Sequence, residues 1–91
     1  MYPPKTNTMT KQHDNSTPVG DILSDELYAR RMTQKEFAVR TGIQPTVVNE
    51  IIKGKRRINP DYAVKFELVL GVDAEFWLTA QMNYDLKQVK K

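Results

Sequence analysis

The sequence predicts an all-α domain of five helices. Apolar residues recur at intervals of three and four residues in five segments, and capping residues, prolines and glycines mark where these segments begin and end. No segment shows the alternation of apolar and polar residues that a half-buried strand requires. With 91 residues the chain is one small domain, near the size at which a single core is only modestly stable.

The chain begins with a polar segment, residues 1–16, which is rich in Thr, Asn and Pro and has no apolar periodicity. We expect this segment to be a flexible tail that precedes a folded domain at 17–91. His13, the only histidine, lies in the tail. A lone histidine in such a segment is expected to be solvated rather than a ligand or a catalytic residue.

The first two helices are predicted from their capping residues. Helix 1 should begin with Thr17 as its cap and Pro18 at its first position. Its apolar residues are Val19, Ile22, Leu23 and Leu27. Thr33 and Glu36 are spaced as a capping box, which predicts that a second helix begins there. Gly42 should end this helix, because the end of a helix often needs a left-handed backbone that glycine adopts at little cost.

A third helix follows, with Gln44 as a weak cap and Pro45 at its first position, where the missing N–H costs nothing. Ala38 in the second helix is small enough to let the third helix approach closely. One side of the third helix is apolar and should face the core. It carries Val48, Ile51 and Ile52.

The two helices match the helix-turn-helix pattern of DNA-binding proteins, with a small residue, a turn glycine and two core positions at the usual intervals. The matching positions are Gln34, Ala38, Gly42, Val48 and Ile51. Because many small helical proteins join two helices at a glycine, the pattern alone does not establish DNA binding. Residues 30–57 carry eight basic and two acidic residues, whereas the rest of the chain carries six and nine. This concentration of positive charge favours phosphate binding.

In such a pair, the start of the second helix enters the major groove and reads base edges, while flanking polar and basic residues contact phosphates. The predicted base contacts are Gln44, Pro45, Thr46 and Asn49. The predicted phosphate contacts are Gln34, Lys35, Lys53, Lys55, Arg56 and Arg57. We expect the loop at 55–58 to clamp phosphate and to be too basic to join the core.

Asn59 and Pro60 should open a fourth helix that ends at Gly71, and Asp73 should cap a fifth. At about 100° per residue, the fifth helix has two apolar sides. One side carries Phe76, Trp77, Ala80 and Tyr84, and the other carries Leu78, Met82, Leu86 and Val89. A monomer can bury only one of them, so we assign the second side to a homodimer interface. Two paired copies would read an inverted repeat in double-stranded DNA.

The composition argues against several other classes. With no cysteine, the chain has no disulfide and no thiolate metal site, and we expect neither a metal nor a cofactor. Paired carboxylates in an apolar setting are missing, so we expect no catalytic centre. No apolar run approaches the roughly 20 residues of a membrane span, and the N-terminus has no secretory signal. A cytoplasmic location is the expectation that follows.

Over about residues 17–86, the chain resembles the Xre-type helix-turn-helix antitoxins of the HigA family. The matching segments are TPVGDIL, MTQKEFAVRTGI, INPDYAV and, most specific, GVDAEFWLTAQMNYDL. The helix-turn-helix part is shared with many repressors, including Cro-like phage proteins. Gln44 and Pro45 depart from the usual pattern, so no operator preference can be carried over.

The resemblance implies a homodimer that represses its own operon and neutralises a basic toxin of RelE-like fold, a ribosome-dependent mRNA endonuclease. Two alternatives remain. The chain could be a standalone repressor of phage or plasmid type with no toxin partner, or it could be an enzyme. A neighbouring reading frame for a basic protein of about a hundred residues would distinguish the antitoxin from the standalone repressor.

Overall fold

A computed structural model describes residues 17–90 of the chain. These residues form five α-helices and no strand, which confirms the predicted fold class. The helices are α1 (Val19–Ala29), α2 (Gln34–Thr41), α3 (Pro45–Ile52), α4 (Pro60–Leu70) and α5 (Ala74–Val89). The predicted tail and His13 lie outside the described residues.

Two of the predicted caps form as expected. The Thr33 hydroxyl accepts a hydrogen bond from the Glu36 N–H at 3.0 Å, at the start of α2. The Asn59 side chain accepts one from the Tyr62 N–H at 2.8 Å, at the start of α4. Only half of the capping box is present, because the Glu36 carboxylate points forward along α2 and pairs with Arg40 at 2.7 Å.

Two helix starts differ from the prediction. α1 begins one residue later than expected: its N-cap is Pro18 rather than Thr17, because Pro18 has an extended ψ of 142°. Asp73 is the N-cap of α5, but its side chain makes no capping hydrogen bond. The Glu67 carboxylate of α4 instead accepts a long hydrogen bond, 3.4 Å, from the Ala74 N–H. The start of α5 is therefore held by its neighbour.

Three aromatic rings from different helices form the centre of the core. Phe66 of α4 packs edge-to-face against Phe37 of α2 and Trp77 of α5, with ring centroids 5.3 and 5.2 Å apart. Trp77 is fully buried, as expected, and its indole N–H donates to the Val72 carbonyl at 3.2 Å. Each ring pair adds about 1 kcal/mol beyond the burial of its area, so this stack joins α2, α4 and α5.

Two isoleucines in connecting segments are also part of the core. Ile43, between α2 and α3, and Ile58, between α3 and α4, are each only 5% exposed. The expectation that the loop at 55–58 stays out of the core is therefore wrong for Ile58, although its basic residues are exposed. The Ile58 N–H also donates to the Gln81 side chain of α5 at 3.1 Å. One apolar residue is enough to anchor an otherwise charged loop.

The position of α3 depends on a close backbone contact with α1. A Cβ atom on Gly20 would lie 2.3 Å from the Ile51 carbonyl oxygen and 2.5 Å from that of Ile52. Only glycine allows this approach, so Gly20 sets the distance between α1 and α3. On its other side α3 contacts α2, where Ala38 and Val48 are buried, as expected for a small residue at 38.

A buried ion pair joins the end of α1 to the end of α4. The Glu26 carboxylate is fully buried and contacts the Arg30 guanidinium at 2.5 Å. The same guanidinium donates to the Leu70 carbonyl at 3.0 Å. Arg30 was one of the eight basic residues counted at 30–57, but the structure turns it inward. Its charge therefore stabilises the fold and does not belong to a DNA-facing surface.

Candidate nucleic-acid interface

α2, the turn and α3 form the predicted helix-turn-helix. Gly42 ends α2 in the left-handed conformation, with φ of 75° and ψ of 11°. Pro45 begins α3, and Gln44 is its N-cap but makes no side-chain capping hydrogen bond, as expected for a weak cap. The side chain of Ile43, in the turn, is buried in the core and anchors the turn there. The start of α3 is thus held in place, while the side chains of its cap and first two residues stay outside the core.

The four predicted base contacts lie close together along the chain at the start of α3. Gln44, Pro45 and Thr46 are exposed and belong to its cap and first turn. Asn49 lies almost one turn further and is half-buried. The structure shows that the first three are accessible to a partner, and their contact with bases stays a prediction.

Asn49 is oriented by a hydrogen bond from outside its own helix. Its amide N–H donates to the Gln34 side-chain oxygen at 3.1 Å, which brings a predicted phosphate contact and a predicted base contact together. The Asn49 side chain keeps a carbonyl oxygen and a second N–H beyond that bond. These are the kinds of group that pair with an adenine edge, and a contact between Asn49 and a base stays a prediction.

Three of the predicted phosphate contacts are lysines that make no ion pair with a carboxylate of residues 17–90. Lys35 lies on α2, Lys53 is the C-cap of α3 and Lys55 follows in the loop. All three are exposed. Lys35 precedes α3 in the sequence, and Lys53 and Lys55 follow it. Basic residues on both sides of a reading helix suit contacts with the phosphates on both sides of a groove.

The two arginines of the loop differ from the lysines because each is paired. Arg56 Nε donates to the Glu50 carboxylate of α3 at 2.8 Å, and the two side chains are 45% and 42% exposed. Glu50 raises the pKa of the Arg56 guanidinium, first through the hydrogen bond and second through its charge. Arg56 is therefore a charged residue with an internal counter-ion.

Arg57 is paired with α5 rather than α3. Its guanidinium contacts the Asp85 carboxylate at 2.5 Å, and Asp85 also accepts a hydrogen bond from the Gln81 amide at 3.1 Å. Because Gln81 in turn accepts from the Ile58 N–H, two adjacent residues of the loop are tied to one face of α5. The loop predicted to clamp phosphate is thus fixed by the last helix.

Glu50, Gln81 and Asp85 are residues of this surface that sequence reasoning missed. Glu50 and Arg56 are six residues apart, and Asp85 and Arg57 are much farther apart, so no helical periodicity links either pair. Asp85 does belong to the segment GVDAEFWLTAQMNYDL named above, but that segment carries no information about the partner of Asp85.

The second apolar side of α5 is largely uncovered. Met82, Leu86 and Val89 are 53%, 46% and 81% exposed, whereas Leu78 is half-buried and packs against the core. A groove of about 400 Å³ runs beside them. Its lining includes Ile58, Asn59 and Pro60 at the end of the loop. The assignment of these four α5 residues to a dimer interface stays a prediction.

Within residues 17–90, no three His, Cys, Asp or Glu side chains come together in a way that could hold a metal ion. None of the described helices is long and apolar enough to cross a membrane.

Comparison with known proteins agrees with this geometry. A family model described as helix-turn-helix matches residues 27–77, which is more than half of the chain. The uncharacterized HTH-type transcriptional regulator YddM of Escherichia coli (strain K12) is 29% identical over 72 residues, covering 79% of this chain and 77% of YddM. Virulence-associated protein I of Dichelobacter nodosus is 33% identical over 73 residues, covering 79% of this chain and 68% of that protein.

A solved structure is similar over the same region. The HigA-family addiction module antidote protein from Coxiella burnetii superposes with a TM-score of 0.76 at 32% identity, and 80% of each chain is covered. These similarities and the site define a DNA-binding regulator of the helix-turn-helix class. The chain belongs to the Xre-type helix-turn-helix family, as a HigA-like member.

Proposed function

We propose that the protein is an antitoxin that represses its own operon as a homodimer and neutralises a basic toxin of RelE-like fold. The observation that carries the DNA-reading part is the first turn of α3. Its polar side chains are exposed, and lysines that make no ion pair with a carboxylate of residues 17–90 precede and follow it along the chain. Polar side chains at this position are those that reach base edges in the major groove.

The homodimer is supported by the exposed apolar side of α5. Met82, Leu86 and Val89 lie on consecutive turns beside a groove, and soluble monomers rarely leave such a stripe uncovered. Pairing about a two-fold axis would bury it and place two copies of α3 to read half-sites about one DNA turn apart. The operator should therefore be an inverted repeat.

The toxin partner is supported by the similarity to a HigA-family addiction module antidote protein. α1 offers a candidate surface for it, because Asp21, Ser24 and Tyr28 are exposed on the side that faces away from the core. An exposed carboxylate beside an exposed aromatic ring suits a basic partner, and DNA binding by α3 would leave this side of α1 unused.

Combined replacement of Thr46 and Asn49 by Ala tests the DNA assignment. Each good base contact discriminates by roughly 1 to 3 kcal/mol, so the variant should lose its preference for the operator and keep weak, salt-sensitive binding. The measurement is affinity for operator and random DNA over a range of salt concentrations.

A matched control for this experiment is Lys53→Ala. Because a phosphate contact carries no sequence information, this variant should weaken binding to both DNAs equally and reduce the salt slope by about 1. Unchanged discrimination between operator and random DNA in the Thr46 and Asn49 variant would remove α3 from the reading role.

The toxin assignment is tested with a basic protein of about a hundred residues, if a reading frame beside that of this chain encodes one. Co-expression should rescue growth and yield a stable complex, and Asp21→Lys with Tyr28→Ala should weaken that complex without affecting operator binding. If the purified partners elute separately in size-exclusion chromatography, the antitoxin role fails. The standalone repressor then takes its place.

A further inference from the structure

Glu50 is the one acidic residue on the outward side of α3. It follows Thr46 by four residues, so the two side chains project from the same side of the helix, with Asn49 beside them. The buried residues of α3, Val48 and Ile51, lie on the opposite side. A carboxylate on the side of α3 that faces DNA would ordinarily repel phosphate, so its presence there calls for a partner.

In the structure that partner is Arg56, at 2.8 Å. The guanidinium is also one of the nearest cations to α3 along the chain, and a phosphate would compete with Glu50 for the same N–H groups. Exposed ion pairs are weak, so phosphate can displace the carboxylate, with an effect of about two- to fivefold on affinity. The displaced carboxylate then lies in the major groove and needs a donor there.

In the major groove the amino groups of cytosine and adenine are both donors, but in adenine the acceptor N7 lies beside the amino group and would repel a carboxylate. A carboxylate side chain therefore pairs with the amino group of cytosine, at a C·G position. A DNA sequence that supplies this amino group opposite Glu50 lets Arg56 go to phosphate without leaving a carboxylate unpaired. A sequence that does not supply it keeps the ion pair closed.

We propose that Glu50 is a specificity-determining residue: it withholds Arg56 from phosphate until a cytosine amino group replaces Arg56 as its partner. The inference rests on the DNA-reading role of α3 proposed above and adds the base that one position of each half-site must carry. The ion pair of Arg57 serves as an internal comparison for that of Arg56. Its carboxylate partner, Asp85, is on α5 rather than among the side chains that project outward from α3.

The test uses Glu50→Gln, which keeps the size of the side chain and removes its charge. Affinity for random DNA should rise about two- to fivefold, and the salt slope should steepen by about 0.9 because Arg56 gains a phosphate. Affinity for the operator should not rise in parallel, so the ratio of operator to random affinity falls. Binding-site selection with the parent protein should enrich a C·G pair at one position of each half-site, and the variant should lose that enrichment.

A matched control is Glu36→Gln. Glu36 pairs with Arg40 at 2.7 Å, and the two side chains are 42% and 55% exposed. This variant therefore makes the same charge change and releases an arginine of α2 that is somewhat more exposed than Arg56, which is 45% exposed. Asp85→Asn is a second control, which should raise affinity for operator and random DNA equally and leave the selected sequence unchanged. An effect of Glu36→Gln on discrimination equal to that of Glu50→Gln would overturn the proposal.

A double-mutant cycle separates the ion pair from simple repulsion of phosphate. In an Arg56→Gln background, Glu50→Gln should no longer change the salt slope, because the residue through which it acts is gone. Persistence of the full effect in that background would overturn the proposal. Failure of the operator proposal looks different, since the parent protein itself would then enrich no sequence. Circular dichroism of each variant confirms that the fold is kept.

Discussion

α3 and α5 are both exposed on one side, but they are held in different ways. α3 is fixed on two sides, by the backbone contact at Gly20 and by the packing of Ala38 and Val48, and the first turn on its free side is polar. α5 is anchored at its start by Trp77, whereas its last turns expose Leu86 and other apolar residues. A helix that reads DNA needs a fixed position, and a helix that pairs with a copy needs an apolar surface.

The largest effect is expected where that apolar surface is removed. Met82→Glu together with Leu86→Glu places two charges on the exposed side of α5 and should give a helical monomer. Because two linked sites bind far more tightly than one, operator affinity should fall by about a hundredfold or more. Light scattering, circular dichroism and operator titration measure the three quantities.

A control for the dimer prediction is Leu68→Glu. Leu68 is 79% exposed on α4 and does not line the groove beside the α5 stripe, so this variant adds a charge at an exposed apolar residue and should leave the dimer intact. If the α5 variant unfolds, the stripe is part of the core. If it remains a dimer, the interface lies elsewhere on the surface.

The bounds of single helices could be predicted from the sequence. The ends of α2, α3 and α4 follow from Thr33, Pro45 and Asn59 and from glycines, because a cap acts on backbone groups within one turn of itself. The two apolar sides of α5 follow from periodicity, but periodicity does not say which side is exposed, and Leu78 on the exposed side is half-buried. Such rules are local, so they describe an element without its neighbours.

Contacts between elements could not be predicted in this way. The pairings of Arg56 with Glu50 and of Arg57 with Asp85 depend on where the chain returns after a turn, which no spacing rule states. Ile58 was assigned to the outside because its three neighbours are charged, although a single apolar residue can be buried by itself. The candidate base contacts were predicted, whereas the carboxylates that restrain the arginines were not.

An intermediate effect is expected where α3 meets α1. Gly20→Ala should lower the free energy of unfolding by about 2 kcal/mol, because its Cβ would overlap two backbone carbonyl oxygens that cannot rotate away. The sign is informative, since Gly→Ala inside an unobstructed helix stabilises by up to about 1 kcal/mol. Urea unfolding measures the change.

Ser24→Ala provides the comparison for Gly20, because Ser24 is an exposed residue of the same helix. Its stability should change by less than about 0.5 kcal/mol. If Gly20→Ala is as stable as the parent protein, α1 and α3 can move apart at no cost in free energy. The backbone contact at Gly20 would then not fix the position of α3.

The smallest effect distinguishes the two caps within the helix pair. Thr33→Ala should lower the free energy of unfolding by about 1 kcal/mol, because the Thr33 hydroxyl accepts the Glu36 N–H at 3.0 Å. Gln44→Ala should change it by less than about 0.5 kcal/mol, because Gln44 is exposed and makes no capping hydrogen bond. The two variants should differ in the opposite way in DNA binding: Gln44→Ala should lower the discrimination between operator and random DNA, and Thr33→Ala should leave that discrimination intact. Urea unfolding measures the stability of both variants, and DNA titration measures their discrimination. A loss of stability in Gln44→Ala equal to that in Thr33→Ala would mean that Gln44 holds the start of α3 and is not free to read a base.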